Sequence, residues 1–230
     1  MPATVITSAT DPLWPFGFKA AVFDFDGTVA DSHHVWRRVD DIFFGRRGLV
    51  YSEKFAETLS ILGFEEGARY TIDEYGLSDS VEDVCREWNE LGRELYKTEV
   101  SLRPGAREYV EALHRLAIPV GLATTNAPEV VDAMEARLPL GSLFPVRTYE
   151  CELPGKTKEH PDIYLECARR LGTEPRDCVV FEDLAMGIRS AKEAGMTAVG
   201  VLTGLPQQNV EAIMRTADYV IRDWAEWAKG

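Results

Sequence analysis

Residues 19–31 read Lys-Ala-Ala-Val-Phe-Asp-Phe-Asp-Gly-Thr-Val-Ala-Asp, an apolar run that stops abruptly in two carboxylates. A short apolar run bounded by polar residues is the pattern of a strand buried on both faces. In an extended segment, residues two apart share a face, so Asp24 and Asp26 are expected to project together while Phe23 and Phe25 pack elsewhere. Gly27 then permits a sharp turn or a close backbone approach to a ligand. Taken alone, Asp-x-Asp-Gly also fits a plain turn, because Asp tolerates unusual backbone angles and bonds its own main chain. A helix-loop-helix calcium loop does not fit: its fifth position would be Thr28 and its sixth Val29, where an oxygen-rich ligand and a glycine are needed.

Working outward, the segment after Asp31 changes character. Trp36, Val39, Ile42 and Phe43 recur at helical spacing, as do Val81, Val84, Cys85, Trp88, Leu91 and Leu95. Residues 33–103 are therefore expected to form an all-helical insert, with 1–32 and 104–230 forming the α/β domain that it interrupts. Ser80 with Asp83 resembles a capping pair, and Gly45, Gly48, Gly63 and Gly76 are expected between helices. The aromatic stripes read as packing rather than as cofactor contacts. Pro2, Pro12 and Pro15 suggest an irregular arm before the first strand.

From Pro104 onward, helix and strand alternate. Helices are expected near Glu108–Leu116, Asp162–Leu171 and Ala185–Ala194, the last closed by Gly195. Strands are expected at Ile118–Ala123, Cys178–Phe181 and Thr197–Leu202. Such alternation argues for a Rossmann-like parallel sheet flanked by helices. Ligands of open parallel sheets bind beyond the carboxyl ends of the strands. Three of these strands run into polar residues: Asp24 and Asp26; Thr124, Thr125 and Asn126; Glu182 and Asp183. Four carboxylates in one small volume repel unless protonated or neutralised, and a hard cation such as magnesium with oxygen ligands resolves the conflict. Hydroxyls and amides near Thr124 and Thr125 can bond a phosphate, and Lys158, ahead of the helix at Asp162, can reach the same edge.

The bulk properties agree with such a protein. The chain has 230 residues, 45% of them hydrophobic and 27% charged, enough for a large domain with an insertion. A formal net charge of -13 argues against nucleic-acid and anionic-membrane partners. Cys85, Cys151, Cys167 and Cys178 are unevenly spaced, without a Cys-x-x-Cys pair, and read as reduced, mostly core thiols of a cytoplasmic protein. The first eighteen residues lack the pattern of a signal peptide, and no run is long enough to span a bilayer.

These residues resemble the haloacid dehalogenase-like hydrolase superfamily, in its phosphatase and phosphomutase branch with a helical cap after the first motif. Asp24-Phe25-Asp26-Gly27-Thr28 is similar to the first motif, Thr124 in Leu-Ala-Thr-Thr-Asn to the second, and Lys158 in Lys-Glu-His-Pro-Asp to the third. Phe181-Glu182-Asp183, with Gly187, Ala191, Ala194 and Gly195 behind it, is similar to the fourth. The resemblance implies Asp24 as nucleophile, Asp26 as general acid and base, and magnesium held by Asp24, the Asp26 carbonyl and Asp183 with Glu182 assisting. It also implies Thr124 and Lys158 on the phosphoryl oxygens, with Thr125 and Asn126 alongside. The third motif departs from its usual Lys-Pro-x-Pro-Asp form, so Lys156 competes with Lys158; the spacing to Pro161-Asp162 favours Lys158.

The cap carries Gly63-Phe64-Glu65-Glu66 where sugar phosphomutases resemble Gly-x-Ser-Arg, which argues for hydrolysis of a small phosphorylated metabolite over mutase chemistry. Asp26 argues against the dehalogenase side of the superfamily, which does not need an acid there. A non-enzymatic phosphoacceptor is a third possibility, opposed by the large helical insert. His33 and Arg37 are cap candidates for substrate contact, with His34 and Arg38 beside them; His114 and Arg103 read as structural. A monomer or weak dimer is expected.

Overall fold

A computed structural model describes residues 2–7, 17–62, 64–153, 157–205, 208–222 and 224. Pro12, Pro15, Gly63 and Lys156 lie outside the described residues. The chain divides into two compact units, Met1–Asp31 with Ser101–Gly230, and Ser32–Val100.

The first unit is an α/β sandwich. Its strands are β1 (Thr4–Val5), β2 (Ala20–Phe23), β3 (Ala30–Asp31), β4 (Ser101–Leu102), β5 (Val120–Thr124), β6 (Val146–Tyr149), β7 (Cys178–Glu182), β8 (Thr197–Val201) and β9 (Tyr219–Ile221). Seven of them form a parallel sheet in the order β1-β9-β8-β7-β2-β5-β6, and β3 pairs antiparallel with β4 in a separate ribbon. The central strands β2, β5 and β7 are buried along their whole length, which is why they read as unbroken apolar runs rather than alternating ones. Phe23 stands opposite Leu122 of β5 and Phe181 of β7. This register brings the carboxyl ends of the three strands level.

Numbered along the whole chain, the helices are α1 (His33–Arg46), α2 (Glu53–Ile61), α3 (Phe64–Tyr75), α4 (Val81–Thr98), α5 (Ala106–Arg115), α6 (Pro128–Asp132), α7 (Leu140–Leu143), α8 (Asp162–Leu171), α9 (Ala185–Glu193) and α10 (Val210–Thr216). The last six belong to the first unit, where α8 and α9 supply Ile163, Tyr164, Cys167, Ile188 and Ala191 to a core shared with Val22, Val180 and Ala198. The second unit consists of α1 to α4. There Ser80 and Asp83 form a reciprocal capping box at the start of α4, and Val84, Trp88, Leu91 and Leu95 make its buried stripe. Phe43 and Phe44 pack edge to face against Trp88 and Phe55 respectively.

Several sequence expectations are corrected here. The arm is not wholly irregular: Thr4 and Val5 pair with Tyr219 and Val220 at the sheet edge. Trp36 lies outside the buried stripe of α1, which runs through Val35, Val39 and Phe43, and is 38% exposed against Phe64 and Gly92. Gly45 sits within α1 rather than after it. Only Cys167 and Cys178 are core thiols; Cys85 is half-buried and Cys151 exposed, all four free. Among the described residues no helix is long and apolar enough to cross a membrane.

Candidate active site

β2 ends at Phe23, immediately before the first acid. After Phe23 the chain folds back on itself: Val29 and Ala30 N–H groups both donate to the Phe25 carbonyl, at 3.0 and 2.8 Å, and Gly27 donates to the Ala30 carbonyl at 2.9 Å. Gly27 holds φ at +78°, the left-handed region that a side chain resists, so the turn requires glycine. Asp24 is thus the first residue past the strand, its N–H bonded to the Phe181 carbonyl at 3.0 Å, while Asp26 bridges to Ala30 and leads into the turn at residues 27–29. The side-chain amide of Asn126, from the loop after β5, donates to the Asp26 carboxylate.

Lys158 lies in the turn ahead of α8 and is 4% exposed. Its ammonium donates to Asp24 Oδ1 and pairs with Glu182 Oε1 at 2.9 Å. Two main-chain bonds fix it: its N–H to Glu150 Oε2 at 2.5 Å and its carbonyl to the Ser190 hydroxyl at 2.8 Å. Glu182 is held in turn by the Tyr164 hydroxyl, 3.2 Å from Oε1, and by the Leu184 N–H, 2.7 Å from Oε2. Gly187 makes room for that carboxylate: a Cβ there would stand 2.2 Å from Glu182 Oε1 and 2.9 Å from the Tyr164 hydroxyl.

Burial pushes the Asp24 and Glu182 carboxyls up against the opposing pull of Lys158. Asp183 is driven well above the usual carboxylate range by burial and by the charges of Glu182 and Asp24. Lys158 suffers the burial penalty too, yet Asp24 and Glu182 hold it firmly charged. The cluster therefore carries more negative charge than one lysine balances. Asp24, Glu182 and Asp183 each offer an oxygen within 4.8 Å of the others. Asp24 Oδ2 is buried without a hydrogen-bond partner, the kind of orphan a bound cation satisfies. An all-oxygen donor set of this kind fits a hard divalent ion.

The sequence-predicted residues gather unevenly. Asp24, Thr124, Asn126, Lys158, Glu182 and Asp183 are buried at the carboxyl edge, with Asp26 half-buried beside them. Thr124 Oγ1 accepts the Asn126 N–H at 3.1 Å, and Asn126 spends its amide on Asp26. Thr125 is exposed, the alternation at the strand end having turned it away from its buried neighbours. In the second unit, Arg37 pairs with Glu53 at 2.5 Å and Arg38 with Glu99 at 3.2 Å, while His33 is half-buried and His34 exposed. His114 is bonded through Nε2 to the Leu143 carbonyl at 2.8 Å. Three residues were not anticipated. Tyr164 and Trp224 carry no motif signal in the sequence, and neither does Gln208, whose amide donates to the Asp183 and Val201 carbonyls at 2.9 and 3.0 Å.

A sequence profile for haloacid dehalogenase-like hydrolases matches residues 18–195, which contain every one of the strand-end acids and Lys158. The chain is a haloacid dehalogenase-like hydrolase. This hydrolase is 32% identical over 187 residues to a protein of Drosophila melanogaster named as a probable pseudouridine-5'-phosphatase, covering 78% of this chain and 80% of that one. It is 28% identical over 192 residues to the phosphorylated carbohydrates phosphatase of Thermotoga maritima, covering 81% and 87%. The crystal structure of CbbY from Rhodobacter sphaeroides in complex with phosphate superposes on the hydrolase with a TM-score of 0.75 at 25% identity, over 91% of this chain and 96% of that one.

Proposed function

We propose that the protein is a magnesium-dependent phosphatase that hydrolyses small phosphorylated metabolites, sugar phosphates foremost, through an aspartyl-phosphate intermediate. The observation that carries this reading is the buried convergence of Asp24, Lys158, Glu182 and Asp183, with one Asp24 oxygen on the lysine and the other free of any partner. The relatives named as phosphatases of a nucleotide-like and of carbohydrate phosphates support the substrate class.

In the reaction, an Asp24 carboxylate oxygen forms a bond to phosphorus while the bond from phosphorus to the leaving alcohol breaks. Asp26 gives a proton to the departing oxygen, then takes one from the water that attacks the aspartyl-phosphate, releasing inorganic phosphate and restoring Asp24. Lys158 sits against the Asp24 oxygen and is placed to share its charge with the phosphoryl oxygens, helped by Thr124 and main-chain N–H groups nearby. Asp24, Asp183, Glu182 and the Asp26 carbonyl are the groups that would hold magnesium, which when bound supplies positive charge against the acids and the phosphoryl group. Glu182 doubles as the anchor of Lys158. Asn126 steadies the Asp26 carboxylate and stands beside Thr124 as a candidate phosphate contact. His33 and Arg37 are left as substrate-contact candidates on the helical unit, and the four free cysteines suit the reducing cytoplasm.

The test is hydrolysis of a chromogenic phosphate monoester with magnesium and then with chelator. Sustained metal-dependent turnover that drops by about a thousandfold or more in Asp24→Asn supports the reading. Stoichiometric labelling of one phosphate per chain without turnover points instead to a phosphoacceptor, and interconversion of sugar 1- and 6-phosphates to a mutase.

A further inference from the structure

The turn that carries Asp26 is tied down from an unexpected quarter. Trp224, close to the end of the described chain and 1% exposed, donates its indole N–H to the Thr28 carbonyl at 2.7 Å. Among the described residues no backbone N–H reaches that carbonyl, whereas the Phe25, Val29 and Ala30 carbonyls of the same turn all have main-chain donors. A buried carbonyl facing a single indole depends on it, because a lost partner leaves the oxygen desolvated and unbonded.

The ring is seated with equal care. It stacks on Tyr109 at 5.3 Å and 29°, and lies 5.1 Å from Phe181 and 5.9 Å from Phe23. Phe23 and Phe181 are themselves stacked, 4.7 Å apart at 10°, and each immediately precedes a site acid, Asp24 and Glu182. The indole thus rests on the two strand ends that position the nucleophile and the acidic pair, and from that platform reaches the turn beyond. Asp26 is consequently gripped twice, by the Asn126 amide on its carboxylate and by Trp224 through the Thr28 carbonyl two residues on.

We propose that Trp224 is a positioning residue for Asp26, its indole N–H fixing the 25–30 turn so that the acid meets the leaving oxygen. The assignment rests on the role given to Asp26 above. Proton transfer demands hydrogen-bond reach in the reacting complex, and a turn that drifts loses rate without losing substrate affinity.

Trp224→Phe keeps an aromatic ring on the platform and removes the donor. With a chromogenic phosphate monoester, kcat is expected to fall about 5- to 30-fold while KM stays within about twofold, the scale of one lost hydrogen bond in a group-transfer step. The limb of the kcat–pH profile that Asp26→Asn abolishes should also shift in Trp224→Phe. A kcat within about twofold of wild type, with an unmoved profile, overturns the proposal. Amide exchange of Val29 and Ala30 provides a readout independent of turnover, expected to quicken by about tenfold in the variant. Should the variant not fold, the wild-type protein decides: the Trp224 indole proton must exchange slowly and in step with those two amides, and rapid exchange in the folded protein sinks the idea. If wild type hydrolyses no phosphate ester, the fault lies with the proposed function, and the exchange measurements still judge the tie between Trp224 and the turn.

Discussion

At the level of single residues, the site depends on groups that do no chemistry. Gly187 is the clearest, since any side chain there meets the Glu182 carboxylate that holds Lys158 against Asp24. Glu182 and Tyr164 are both buried and hydrogen-bonded to each other. Gly187→Ala is expected to cost about 1–3 kcal/mol as an overpacked core and to lower kcat more than its stability loss explains, because the lysine is displaced with its anchor. Thermal unfolding and steady-state kinetics on the same variant check both halves; an unchanged kcat would show that Glu182 does not need its present position. The strand-end acids were legible in the sequence because acids at the ends of apolar runs have few structural uses, and Lys158 through its spacing to Pro161-Asp162. Gly187 was legible only as part of a motif, and Tyr164 and Trp224 not at all. An aromatic inside an amphipathic pattern carries no mark that distinguishes a hydrogen-bonding role from packing.

At the level of elements, the sequence was most readable where burial was two-sided or a cap was explicit. Asp162–Leu171 ran as expected because Pro161 and Gly172 bracket a strong apolar periodicity, and β7 was plain because every residue in it is buried. The outlying strands were harder: β1 at one edge and its neighbour β9 have two and three residues, too few for any period to register, and β6 at the other edge reads Val-Arg-Thr-Tyr, an alternation shared by many loops. The turn after Asp26 was hard to read for a related reason. The hydrogen bonds that end the strand converge on the Phe25 carbonyl, and nothing in residue type announces them. In α4 the reverse holds, since Ser80 and Asp83 satisfy each other's side chain and backbone. Ser80→Ala should therefore destabilise the helical unit by about 0.5–2 kcal/mol, with the early amides of α4 exchanging faster and the turnover of small substrates little changed. Equal exchange in variant and wild type would show the cap to be decorative.

At the level of the whole molecule, the surplus of acid sets how stability answers to pH. The formal charge is -13, and outside the active site Asp40 is the carboxyl that folding burdens most clearly. Burial, aided by the neighbouring charge of Asp41 and only partly offset by Arg37, pushes the Asp40 carboxyl up to about 7. Arg37 is already engaged with Glu53, which is why it offsets only part of that cost. The sign follows from linkage. Below the ordinary carboxylate range the group is protonated folded and unfolded alike, and its neutral form imposes no penalty. Between about 4 and about 7 the folded protein retains a proton that the unfolded chain releases, so stability declines as pH rises, and above that window the whole cost is in place. Asp40→Asn stays neutral throughout. It should raise the unfolding temperature at pH 8, by an amount corresponding to about 1–3 kcal/mol, and make little difference at pH 4. Melting curves of the two proteins across that range provide the check. A gap that is constant with pH, or that closes as pH rises, would mean Asp40 finds a partner or solvent in solution that relieves its charge.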